Sequence, residues 1–109
     1  MLTIIETRAF LRTTAQFWND NEREAFISWI AANPTAGDLI VGSGGLRKVR
    51  WAVPGSGKRG GARVVTYAVL DNCQVWLLVG YVKAKFDNLP TELLVTLRKE
   101  IDDAEKNQT

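Results

Sequence analysis

Arginine and lysine crowd one stretch of this chain in a pattern that points at phosphate. Gly42 to Val65, GSGGLRKVRWAVPGSGKRGGARVV, holds Arg47, Lys48, Arg50, Lys58, Arg59 and Arg63 with seven glycines and no acidic residue. Extending the window to Lys85 adds Lys83 and Lys85, so eight cations meet one acid, Asp71, for a local charge of +7; the whole chain carries +2, which leaves −5 for the remainder. Charge that serves only solubility intersperses the two signs. Charge segregated in this way sets up a concentrated positive field around a flexible, glycine-rich centre. Phosphate is the anion it suits, and nucleic acid is the partner it implies.

What the chain lacks narrows the chemistry further. It contains no histidine and a single cysteine, Cys73. Ser-His-Asp and Cys-His catalysis, His-ligated metals, His-pair ribonuclease chemistry and Cys-rich zinc sites are therefore excluded. Acid–base work falls to Lys, Arg, Tyr, Asp or Glu, with no cofactor and no metal expected. Cys73 follows Asp71-Asn72 in a turn, with no base signature beside it. It cannot form an internal disulfide, and a cytoplasmic location is the natural expectation. No apolar run nears the roughly 20 residues of a membrane span, and the N-terminus does not read as a signal peptide.

The elements that must position these residues follow from periodicity. A length of 109 residues with 46% apolar residues fits one domain, residues 1–109, with a real core. Leu2 to Ile5 reads as a strand. Thr7 caps a helix to about Phe17, with Phe10, Leu11 and Phe17 inward. Asp20 or Asn21 caps a second helix, with Glu22 and Glu24 in its first turn and Phe26, Ile27, Ile30 and Ala31 as its apolar stripe. Asn33-Pro34 ends it. Leu39-Ile40-Val41 is a short apolar piece of connector.

Three strands then form the body of an antiparallel or mixed sheet. Leu46 to Val53 places Lys48 and Arg50 on one face, and Ala62 to Leu70 places Arg63, Val65 and Tyr67 together. Gln74 to Lys83, near-continuously apolar from Val75 to Val79, reads as a central strand with Tyr81 and Lys83 on one face of its end. The turn Pro54 to Gly61 is too glycine-rich for regular structure. A last helix starts near Asn88 or Leu89, with Pro90 in its first turn and Leu93, Leu94, Leu97 and Ile101 as its stripe; from Asp102 the tail frays. The class is α+β, a small sheet with two N-terminal helices and a C-terminal one.

Two familiar phosphate motifs fail. Gly55-Ser56-Gly57-Lys58 suggests a P-loop, but position 52 is Ala and Arg59 follows the lysine. The dinucleotide fingerprint fails because no helix pattern follows the glycines.

The order of the spaced elements resembles the HigB branch of the RelE/ParE toxin superfamily. That family's pattern is GxGGLRK-hydrophobic-R, a linker, GKxGGxR, aromatic positions, then Y-x-K-N-E and Asp- or Asn-Leu before the last helix. Gly42, Gly44, Gly45, Leu46, Arg47, Lys48, Arg50, Gly57, Lys58, Gly60, Gly61, Arg63, Tyr67, Tyr81, Lys83 and Leu89 fit it, as do Asn33-Pro34 and Gly37-Asp38 just before. The likeness covers roughly residues 20 to 100. The chain departs from the pattern at Ala84-Lys85, where relatives carry Asn-Glu, and at Thr66, where relatives often place a second aromatic beside Tyr67.

The resemblance implies a RelE-like fold and a type II toxin, a ribosome-dependent endoribonuclease that cuts mRNA in the ribosomal A site. It implies as partners the ribosome, mRNA and a small cognate antitoxin. No helix-turn-helix is evident in this chain, so DNA binding would belong to the antitoxin. A topoisomerase-inhibiting toxin of the ParE kind and a non-enzymatic basic RNA-binding module are the alternatives.

Cleaving RNA through its own 2′-hydroxyl requires removing that proton, stabilising the phosphorane charge and protonating or screening the 5′-oxygen. Arginine forks suit phosphate oxygens, so Arg63 and Arg50 are the candidates there. A neighbouring like charge disfavours the charged form of an amine, which makes Lys48 or Lys83 a candidate base or acid. Tyr81 could stack on a base or assist proton transfer. Arg47, Lys58, Arg59 and Lys85 are candidates for RNA binding. Arg63 is expected to be exposed at its strand start. Trp76 is expected in the core, and Trp51 either in the core or on a stacking surface.

Overall fold

The computed structural model describes residues 2–51, 61–82 and 89–106. Five strands form one mixed sheet: β1 (Thr3–Glu6), β2 (Asp38–Leu39), β3 (Arg47–Trp51), β4 (Ala62–Val69) and β5 (Gln74–Val82), in the order β1-β5-β4-β3-β2. Neighbours are antiparallel except β1, which runs parallel to β5. Helices α1 (Arg8–Thr14) and α2 (Asp20–Ala32) cover one face, and α3 (Thr91–Lys106) covers the other. The expected α+β class and the helix placement agree with this.

Strand alternation divides the core in two. Ala62 and Val64 of β4 join Val49, Val75 and Leu77 beneath Phe10, Trp18, Phe26 and Ile30 of the N-terminal helices. Val65 faces the other way, with Leu46, Trp76 and Leu78, beneath Leu94, Leu97 and Ile101 of α3. Burying these aliphatic and aromatic side chains is the main stabilising term, about 1.5–3 kcal/mol for each large one.

Local chemistry sets the helix boundaries. Thr7 caps α1, its Oγ1 accepting from the Phe10 amide at 3.1 Å. The helix stops at Thr14 rather than near Phe17. Leu11 is exposed because the buried face of the helix is that of Phe10 and Thr14, one turn apart. Asn19, not Asp20 or Asn21, caps α2 in a reciprocal box: its Oδ1 accepts from the Glu22 amide and Glu22 Oε1 accepts from the Asn19 amide, both at 2.8 Å. Ala31 is exposed on this helix while Phe26 and Ile30 are buried. Leu39 pairs with Arg47, so part of the expected connector is edge strand β2.

Helix α3 begins at Thr91, with the Pro90 carbonyl accepting from Leu93 and Leu94, later than the expected cap at Asn88 or Leu89. It continues to Lys106 instead of fraying at Asp102, because Ile101 is fully buried and Arg98 pairs with Asp102 at 2.6 Å. Leu93, expected inward, is exposed.

Strand β5 carries an irregularity that matters for the site. Val65 pairs with Val79 but Thr66 pairs with Leu77, so Leu78 is an extra residue. Such a bulge flips the alternation of everything beyond it. Trp76, Leu78 and Tyr81 consequently share the α3 side although their numbers differ in parity. Beyond the end of β1, α1 takes over the edge of β5, where the Gly80 amide donates to Thr13 Oγ1 at 2.9 Å.

Candidate active site

The register aligns three of the expected residues in one row across the sheet. Arg50 of β3 pairs with Arg63 of β4, and Arg63 pairs with Tyr81 of β5. Side chains at directly opposed positions stand about 4.5–5.5 Å apart at Cβ. Lys48, two residues from Arg50, lies on the same face, with Val65 and then Val79 in its row. The face is the one that α3 covers.

Exposure is graded along this row. Arg50 is exposed and Lys48 is half-buried, whereas Arg63 and Tyr81 are each 5% exposed. The expectation of an exposed arginine at the strand start is therefore wrong for Arg63. It sits inward of Arg50 in a central strand, next to a buried phenol. Burial pushes the Tyr81 hydroxyl above its usual pKa of 10.0, and the Arg63 charge opposes that shift without cancelling it. Tyr81 is thus held as a neutral proton donor close to a guanidinium, an arrangement suited to an anionic oxygen.

Two hollows open on Tyr81. A small one of about 40 Å³ is lined by Ile40, Lys48, Tyr81, Leu89 and Leu94, so that the Lys48 and Tyr81 side chains reach a common space. A larger groove of about 510 Å³ runs past Tyr81 between α1 and the start of α3, lined by Thr13, Phe17, Val82, Leu89 and Leu93 among others. Lys48 at the small hollow is chemically suited to an anionic oxygen, and the largely apolar lining of the larger groove to an apolar or aromatic group.

Arg47 is placed apart from this row. It alternates onto the α2 side, and its guanidinium donates to the Gly37 carbonyl at 3.1 Å. Lys58, Arg59, Lys83 and Lys85 lie outside the described residues. Trp76 is in the core, and Trp51 packs against Phe26 and Trp29 on the α2 face at ring-centroid distances of 5.3 and 5.1 Å, so it shares no surface with Lys48 and Arg63. Tyr67 carries the Arg98 guanidinium over its ring at 4.3 Å.

Sequence reading missed Ile40 and Leu94 as walls of the small hollow; Asp38, which fits the family pattern, lies across from Lys48 in the β2–β3 register. Leu94 was visible only as a core position, and no local pattern marks Ile40 as a wall. Among the described residues there is no cluster of three or more His, Cys, Asp or Glu that could hold a metal ion, and no helix long and apolar enough to cross a membrane.

No protein-family model matches the sequence. The fold is that of the RelE toxin: this chain is similar to the mutant E. coli toxin RelE solved in the free state, with a TM-score of 0.56 at 12% sequence identity, over 89% of this chain and 96% of that one. At that identity the likeness speaks for the architecture, and the chemistry rests on the residues present here.

Proposed function

We propose that this protein is a RelE-like toxin of a type II toxin–antitoxin pair that cuts mRNA on the ribosome. The observation that carries the reading is the Arg50–Arg63–Tyr81 row with Lys48 beside it, standing on one face of a sheet with the RelE architecture. A cation-rich, histidine-free surface of this kind suits RNA phosphate better than protein, lipid or small-molecule chemistry.

In this mechanism the 2′-hydroxyl of the RNA attacks the adjacent phosphorus. The Lys48 amine takes the hydroxyl proton as the new O–P bond forms. Arg63 and Arg50 stabilise the charge on the phosphorane oxygens. Tyr81 donates a proton toward the departing 5′-oxygen as its bond to phosphorus breaks, leaving a 2′,3′-cyclic phosphate and a free 5′-hydroxyl. Protonated Lys48 and the tyrosinate return to their starting states by exchange with water. Such groups are modest catalysts alone, and orientation of the mRNA by the ribosome supplies much of the rate, several kcal/mol where alignment is good. The antitoxin neutralises the toxin by covering or distorting this basic surface, and DNA binding belongs to the antitoxin.

The test is primer extension on a defined mRNA, free or held in programmed ribosomes. Cleavage in the ribosomal complex and not in free mRNA is the expected result. Intact mRNA in both, with DNA breaks in cells expressing the protein, would favour a topoisomerase inhibitor. Intact mRNA and DNA with persistent RNA binding would leave a non-enzymatic RNA-binding module.

A further inference from the structure

One guanidinium, that of Arg98 on α3, ties together three parts of the molecule distant in sequence. Its Nε–H donates to the Gly44 carbonyl at 3.1 Å, and its Nη2 donates to the Tyr67 hydroxyl at 3.0 Å. Its Nη1 meets Asp102 Oδ1 at 2.6 Å, one turn along the helix. The group lies over the Tyr67 ring, 4.3 Å from its centre. The turn it grips is shaped for close approach: Gly44 and Gly45 have φ of +78° and +104°, and a Cβ there would stand 3.3 Å from Arg98 Cγ and 3.1 Å from Tyr67 Cε1 respectively. Ser43 closes the same turn, donating from Oγ to the Ile40 carbonyl at 2.6 Å and accepting from the Leu46 amide at 3.0 Å.

Two of the segments that Arg98 joins, α3 and the chain leading into the Gly44 turn, contribute walls to the hollow shared by Lys48 and Tyr81. Leu94, one helical turn before Arg98, is the α3 wall; Ile40, at the start of the Ser43 turn, is the wall opposite. The bonds made by Arg98 face neither Lys48 nor Tyr81 directly.

We propose that Arg98 is a positioning residue: by fastening α3 to the Gly44 turn and to Tyr67, it holds Leu94 and Ile40 closed around Lys48 and Tyr81. What this enclosure positions rests on the nuclease reading above, whereas the fastening itself can be measured without RNA. A fork with several fixed donors is needed to serve Gly44, Tyr67 and Asp102 together, so lysine is a poor replacement.

The experiment uses the purified full chain and the fact that it contains two tyrosines, Tyr67 and Tyr81. Tetranitromethane nitrates accessible phenols, and peptide mapping separates the two sites. In Arg98→Ala and Arg98→Lys, Tyr81 nitration accelerates by about tenfold or more, as expected when charge-assisted hydrogen bonds closing a contact are lost. Val95→Ser, an exposed change on the same helix, leaves the rate alone. Tyr67→Phe keeps the ring and removes one acceptor, giving a smaller acceleration of Tyr81; it also serves if the Arg98 variants fail to fold. On programmed ribosomes, Arg98→Ala lowers the single-turnover cleavage rate while ribosome affinity stays unchanged. Unchanged Tyr81 nitration in folded Arg98→Ala, or in Tyr67→Phe where the Arg98 variants do not fold, overturns the fastening. Faster nitration with undiminished cleavage overturns the positioning role. Absence of cleavage by the unmodified protein counts against the nuclease reading and leaves the nitration result to decide the fastening.

Discussion

Arg63 and Tyr81 stand opposite one another on β4 and β5, each 5% exposed, and the extra residue Leu78 is what brings them to the same face. Without the bulge, strict alternation would place Tyr81 with Val75 and Leu77 on the α1 side. The pairing sets a buried hydroxyl beside a buried cation at the centre of the basic surface, with Arg50 and Lys48 nearer solvent.

Replacing Arg63 tests that centre. Arg63→Ala lowers cleavage by about 10²–10³, the usual cost of removing one donor from a developing charge. Because Arg63 is buried, the substitution also lowers stability, by about 1–2 kcal/mol. Arg63→Lys keeps the charge and loses the fork, so it melts closer to the unmodified protein but recovers little of the cleavage. Single-turnover rates beside thermal melts separate the two effects; full-rate cleavage by folded Arg63→Ala would remove Arg63 from the site.

The buried phenol makes stability depend on alkaline pH. Below about pH 10, Tyr81 is neutral in folded and unfolded chains alike. Above it, the unfolded chain releases the proton while burial retains it in the folded protein. The folded state then binds more protons than the unfolded one, and stability falls as pH rises. Tyr81→Phe removes this contribution. Urea midpoints measured at about pH 9 and about pH 11 should fall less for Tyr81→Phe than for the unmodified protein; equal falls would show the phenol is not desolvated.

Gly80 precedes Tyr81 and leaves no room for a side chain. A Cβ there would lie 2.6 Å from Thr14 Cγ2 and 3.2 Å from Phe17 Cζ. Gly80→Ala should therefore destabilise the fold by about 1–3 kcal/mol through overpacking against α1. A chemical denaturation midpoint equal to that of the unmodified protein would mean that α1 yields freely.

Thr66, at the bulge, is fully buried, and its hydroxyl has no hydrogen-bond partner among the described residues. Thr66→Val replaces that hydroxyl with a methyl group of similar size. The variant should be more stable by about 1 kcal/mol, since an unsatisfied buried polar group carries a desolvation penalty. A lower melting temperature would show that the hydroxyl has a partner, such as a bound water.

The sequence exposes this architecture unevenly. Strands β3, β4 and β5 are legible because Val, Leu and aromatic residues concentrate between glycine-rich and Asp-Asn turn signals, and the placing of Lys48 with Arg50 on one face follows directly from a period of two. The bulge at Leu78 was not legible: Val75 to Val79 is apolar on both faces, so the pattern fixes no parity. Burial of Arg63 was missed because a glycine pair precedes it, which reads locally as an exposed turn, while the covering helix lies far along the chain. Arg98 was invisible as a link for the same reason, its partners Tyr67 and Gly44 being 31 and 54 residues away. Local rules find elements and faces; long-range register decides which side chains meet.

The central claim is tested most directly by mapping mRNA 5′ ends across the transcriptome after brief induction of the protein and of its Arg63→Ala variant. The account predicts new 5′-hydroxyl ends confined to translated frames, produced by the unmodified protein and nearly absent with the variant. New ends spread equally through untranslated RNA, or none in cells that nevertheless stop growing, would contradict it.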